Sequence, residues 1–97
     1  MKIELSEAAD GDLRAIYKYS YRRFGEEQAD RYYKNLWACF HRLAENPRLG
    51  RRRADIHPPV HSHQHDRHVI FYDVHDDRIL IVRVLHERMD IDRHLRT

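Results

Sequence analysis

The sequence predicts one α+β domain spanning residues 1–97: a short N-terminal strand, an antiparallel helical hairpin, and a three-stranded antiparallel meander completing one sheet. Three observations predict it. Apolar residues recur with a helical period between Ala9 and Leu43, the pattern changes to strand-like runs after Pro59, and Gly25 and the proline-bracketed stretch 47–59 separate the parts. At 97 residues, 41% hydrophobic and 10% aromatic, the chain is long enough for one core and too short for two. That composition buries enough apolar surface to offset ordering entropy, so disorder is not expected.

Lys2 to Leu5 alternates polar and apolar residues as a short strand does. Ser6 then stands where a helix N-cap belongs, with Glu7 and Asp10 in the first turns, where carboxylates complement the macrodipole. Ala9, Leu13, Ile16, Tyr17, Ser20 and Phe24 share one stripe of this first helix, and Gly25 closes it. Glu26 and Glu27 open a second helix whose stripe is Ala29, Tyr32, Tyr33, Leu36, Trp37, Phe40 and Leu43, running to Asn46-Pro47. Aromatic stripes at this spacing form core or partner-binding surface rather than a cofactor site.

Residues 47–59 lack periodicity and read as a basic connecting loop. Strands are expected over Val60 to His65, Arg67 to Val74 and Ile79 to His86, with turns at Gln64 to Arg67 and His75 to Arg78. The last two carry apolar residues on both faces, which marks inner strands. Arg83 breaks the Ile79, Ile81, Leu85 alternation and is expected on an open sheet face, while Asp90 to Leu95 forms a terminal turn or short helix.

Charge narrows the function classes only modestly. The 18 basic and 16 acidic residues give a net charge of +2, weak grounds for nucleic-acid binding. From residue 48 onward, however, ten arginines face eight acids with no lysine; guanidinium groups pair bidentately with carboxylate or phosphate and do not act as bases near neutral pH. No apolar run approaches the roughly 20 residues that span a bilayer, and Met1 to Leu5 lacks a signal-peptide apolar core. A cytoplasmic protein with no membrane partner is expected. The lone Cys39 cannot form an intrachain disulfide and reads as a buried thiol.

Three constellations carry possible chemistry. His61, His63 and His65 alternate along a strand, so all three share one face, with neighbours about 7 Å apart; they are weak metal candidates, without the paired signatures of a zinc site, and otherwise form the polar outward face of an edge strand. Seven of nine histidines lie between His57 and His86, so this half gains charge below about pH 6.5. The Arg48, Arg51, Arg52, Arg53 run suits phosphate or an acidic partner, or is a solvated loop. Arg67, Arg83 and His86 on neighbouring strands offer two cations and a proton donor for a scissile phosphate; alternatively Arg83 is an ion-pair or interface residue.

The order of elements, with Leu43-Ala44-Glu45-Asn46-Pro47-Arg48-Leu49-Gly50-Arg51, Arg67-His68-Val69-Ile70-Phe71-Tyr72 and Arg83-Val84-Leu85-His86-Glu87-Arg88-Met89-Asp90, resembles the ParE branch of the RelE/ParE toxin superfamily over nearly the whole chain. The resemblance implies a bacterial type II toxin that inhibits DNA gyrase by protein–protein binding, is not an enzyme, needs no cofactor, and is neutralised by a ParD-like antitoxin in a tight hetero-oligomer. It implies no sequence-specific DNA binding by this chain. Arg83, Arg88, Met89 and Arg93 are then expected on the target face, and Tyr17, Tyr21, Tyr32, Tyr33, Trp37, Arg51 and Arg53 on the antitoxin face. The stretch Val60 to Asp66 departs from the family, being His-rich where relatives are aromatic and Arg-rich.

Two alternatives accompany this reading. RelE-type relatives cut mRNA on the ribosome, but their lysine pair is absent here and no Tyr follows Tyr72, leaving Arg67, Arg83 and His86 as nuclease candidates. A His-rich metal-binding module is the third possibility.

Overall fold

Ser6 sets the first corner of the fold. Its hydroxyl accepts from the Ala9 backbone N–H at 2.9 Å and donates to the Val82 carbonyl at 2.7 Å, so one side chain caps a helix and fastens it to a strand 76 residues away. In the computed structural model, which describes residues 1–95, β1 (Lys2–Leu5) leads into α1 (Glu7–Phe24) and α2 (Glu26–Glu45). A 3₁₀ turn (Pro47–Leu49) follows, then β2 (Arg51–Arg53), β3 (Val60–His65), β4 (His68–Val74), β5 (Arg78–His86) and α3 (Ile91–Leu95). Gly25 joins the two long helices at φ 92°, a conformation costly for residues with a Cβ.

The strands form one mixed sheet in the order β1-β5-β4-β3-β2. β1 runs parallel to β5, and every other pairing is antiparallel. The expected meander is therefore extended at one edge, since Arg51–Arg53 leaves the predicted loop to pair with Val60–Ser62. A run of three arginines gives no alternation that would announce a strand.

The hairpin packs on one face of the sheet, burying Leu13, Leu36, Cys39, Phe40 and Leu43 against Ile70, Tyr72, Ile79, Ile81 and Val84. Full burial of each large apolar side chain stabilises by about 1.5–3 kcal/mol before entropy is subtracted. The opposite face is thinner: Ile56, Val60, Phe71 and Leu85 are covered by the 54–59 loop and by Ile91 and Leu95 of α3.

A bulge in β5 changes which residues face which layer. Phe71 pairs with Arg83 but Tyr72 pairs with Ile81, so Val82 is the extra residue. Before it, Ile79 and Ile81 meet the helices; after it, Val84 does, and Leu85 joins the opposite layer. Arg83 thus does not interrupt the Ile79–Ile81 face at all.

Candidate functional site

Arg83 leaves the open sheet face expected for it and takes the ion-pair alternative. Its Nε and Nη2 donate to the two carboxylate oxygens of Asp12 at 2.8 Å each, and its Nη1 donates to the His94 carbonyl at 3.0 Å. Both side chains of the pair are mostly buried, at 20% and 14% exposure. Asp12 also accepts from the Val84 N–H at 2.9 Å, on the edge of β5 that β1 no longer covers. The paired carboxylate holds the Arg83 guanidinium above its usual range. Arg83 is accordingly a clamp joining α1, β5 and α3, not a cation offered on an open face.

The nuclease candidates consequently do not converge as a set. Arg67 lies exposed in the β3–β4 turn, its carbonyl accepting from the Glu87 N–H, and His86 faces His68 across the β4–β5 pair. Arg83 is mostly buried, and each of its three nitrogens already donates, Nε and Nη2 to Asp12 and Nη1 to the His94 carbonyl.

The histidine strand is a correction. β3 is not an edge strand over its first half, and its histidine side chains lie on the helix side of the sheet: His61 stacks on Tyr72 at 5.3 Å, and His65 meets Tyr32 of α2 at 5.8 Å. Among the described residues, no three His, Cys, Asp or Glu side chains are arranged to hold a metal.

What alternation did not reveal is a Tyr–His cluster where β3, β4 and β5 end under α2. The Tyr32 hydroxyl lies 2.6 Å from His68 Nδ1 and 3.5 Å from the His65 carbonyl, and the His68 and His86 rings meet edge-on at 5.5 Å. Burial pushes Tyr32 up to about 12, so the phenol keeps its proton, and the direction of its bond to His68 Nδ1 follows the imidazole tautomer. Burial, joined by the neighbouring His86, lowers His68; burial and Arg42 lower His63; burial also lowers His65.

These three groups set a pH dependence. Because their folded pKa values lie below the usual 6.5, the unfolded chain takes up protons first as pH falls, so their contribution is complete above about pH 6.5 and declines below it. A lower melting temperature at pH 5.5 than at 7.5 is expected, with a smaller drop in His68→Gln. A melting temperature that is unchanged or higher at pH 5.5 would contradict this.

The residues expected on the antitoxin face occupy separate places. Tyr17, Tyr21 and Tyr33 form one cluster on the hairpin, with ring centroids 6.3 and 6.0 Å from Tyr17, whose hydroxyl donates to Asp30 at 2.6 Å. That bond, with Asp30's charge, raises Tyr17 to about 12. Tyr19, Tyr21, Phe24 and Tyr33 are exposed on the same hairpin. Tyr32 belongs to the histidine cluster, and Trp37 packs half-buried against Phe40 at 5.2 Å. On β2, Arg51 is exposed, whereas Arg53 is bound by Asp55 at 2.9 and 3.0 Å, holding Asp55 down at about 2. Of the target-face residues, Arg88, Met89 and Arg93 are exposed around the start of α3, the segment Arg83 anchors through His94.

These features define a small α+β domain with an exposed aromatic group on its helical hairpin and with Arg88, Met89 and Arg93 exposed around the start of α3. The family profile described as ParE toxin of type II toxin-antitoxin system, parDE, matches residues 3–91. Toxin ParE1 of Mycobacterium tuberculosis is 40% identical over 92 residues, covering 94% of each chain. Toxin ParE1 of Caulobacter vibrioides is 37% identical over 91 residues, again covering 94% of each. A solved structure described as the chromosomal ParDE TA system from P. aeruginosa superposes with a TM-score of 0.76 at 21% identity, covering 89% of this chain and 95% of that one. The chain belongs to the ParE toxin family of type II toxin–antitoxin systems.

Proposed function

We propose that the chain is the toxin of a toxin–antitoxin pair, held in a tight hetero-oligomer by a ParD-like antitoxin and, when released, stopping growth by binding DNA gyrase in the cytoplasm without catalysing a reaction. Family membership supports the class, and the ParDE description of the structural neighbour supports the kind of partner. The observation that carries the docking surface is the exposed Tyr21, Phe24, Tyr33 group beside Tyr17. Aromatic side chains left in water on so small a domain suit a partner that buries them. The non-catalytic reading is supported by the engagement of Arg83 with Asp12, which removes one cation from the nuclease set.

Truncating Tyr21 and Tyr33 together to Ala is expected to weaken antitoxin binding by about 10- to 100-fold, in line with loss of two aromatic anchors that the partner buries. Growth inhibition in cells lacking the antitoxin should persist. An unchanged dissociation constant in the folded variant would remove the hairpin from the interface.

The target face is assigned to Arg88, Met89 and Arg93. Charge reversal of Arg88 and Arg93 to Glu is expected to abolish growth inhibition while the antitoxin still binds, since both side chains are exposed. Full toxicity in that variant would place the target elsewhere.

A further inference from the structure

The outer face of α1, turned away from the sheet, carries a feature that neither the antitoxin nor the target assignment uses. Ala15, Lys18, Tyr19, Arg22 and Arg23 line a shallow groove of about 350 Å³. All five residues are exposed, and Tyr19, at 64%, is the most exposed large apolar side chain among the described residues. None of the three cations is held in an ion pair among the described residues, although Arg14, Arg31, Arg53, Arg78 and Arg83 all are. Asp12, the acid nearest in sequence to Ala15 and Lys18, is taken by Arg83, and Glu26 and Glu27, nearest to Arg22 and Arg23, open α2.

Two ordinary explanations cover only part of this. Cations in a last turn complement the helix macrodipole, which accounts for Arg22 and Arg23 but not for Lys18 or Tyr19. A solvated helix face usually mixes both signs of charge, whereas this one is uniformly positive.

We propose that this face of α1 holds the phosphate backbone of duplex DNA without reading its sequence. An ammonium, two guanidinium groups and a phenol hydroxyl are the side chains that contact phosphate oxygens and fix a protein's register on DNA. One aromatic ring does not make the stacking platform that single strands require. A basic helix ridge meets the electrostatic demand of a duplex, and the lack of base-reading geometry makes the contact sequence-independent. The inference stands apart from the gyrase reading, because it is tested with the toxin and DNA alone.

The experiment is fluorescence anisotropy of the purified chain with a labelled 20-base-pair duplex across a salt series. Neutralising three phosphates predicts a slope of log K against log salt of about −2.7. Lys18, Arg22 and Arg23 changed together to Gln is expected to lose at least 10-fold in affinity and most of the slope. A control with the same charge change elsewhere, Lys2, Arg52 and Arg67 to Gln, should lose less than 3-fold. Equal losses in the two variants would mean that net charge alone drives binding, overturning the assignment. So would no measurable duplex binding, tighter binding to a single strand of equal length, or preference for a poly-glutamate peptide, which would make an acidic protein the occupant.

Discussion

Asp12→Ala is expected to destabilise the fold by about 3 kcal/mol, the low end for breaking a buried ion pair by removing one partner. Three consequences combine. The Arg83 guanidinium loses both carboxylate bonds while remaining mostly buried, the Val84 N–H loses its acceptor on an edge with no neighbouring strand, and α1 loses its tie to β5. For a domain of this size the melting temperature should fall by about 10–20 °C. Arg83→Glu should be at least as damaging, since it sets two carboxylates against each other. Its loss of toxicity would therefore report unfolding rather than a lost target contact. Thermal denaturation of both variants checks this; a drop below 3 °C in Asp12→Ala would show that the clamp contributes little.

Gly50→Ala is expected to be comparably severe. A Cβ at position 50 would overlap the Tyr72 hydroxyl, lie 2.8 Å from the Tyr72 ring and 2.9 Å from the Ser62 carbonyl. The ring cannot step aside, because Tyr72 is fully buried between the hairpin and the sheet. Its hydroxyl accepts from the Gly50 N–H at 3.0 Å and donates to the Pro47 carbonyl at 2.7 Å, holding the turn after α2 to the sheet. Overpacking and the loss of two largely buried hydrogen bonds together cost about 3 kcal/mol. Tyr72→Phe, which removes the bonds without the clash, should cost about half as much. A Gly50→Ala protein as stable as the parent would mean that this turn can shift without penalty.

The elements were legible where local chemistry agrees with tertiary structure. Ser6, Gly25 and Pro47 mark boundaries that the structure keeps, and the helix stripes are buried at Ala9, Leu13, Ala29, Leu36, Phe40 and Leu43, whereas Phe24 and Tyr33 of the same stripes are exposed. Strand β2 was not legible, because Arg51 to Arg53 is fixed by pairing with β3 rather than by its own pattern. Arg83 was misplaced for a different reason: strict alternation fails at a bulge, and the extra Val82 moves every later side chain to the other face. Its partner Asp12 lies 71 residues away on the first helix, a distance no local pattern bridges.

The site was less legible than the fold. The Tyr17, Tyr21, Tyr33 grouping follows from helical spacing, but Tyr32, one residue from Tyr33, turns to His68 on the sheet. The histidine strand carries no sign in its alternation of which layer it faces; packing of α2 decides that. Family membership then supplied the toxin class, which the fold alone does not.

The most direct test of the gyrase reading is a DNA supercoiling assay with purified gyrase and the free chain, repeated with the antitoxin added, in which linear DNA trapped as cleavage complex is quantified. Inhibition with accumulation of cleaved DNA, reversed by the antitoxin, is the predicted result. Undiminished supercoiling in the presence of folded, growth-inhibiting toxin would contradict it and direct the search to ribosome-bound mRNA.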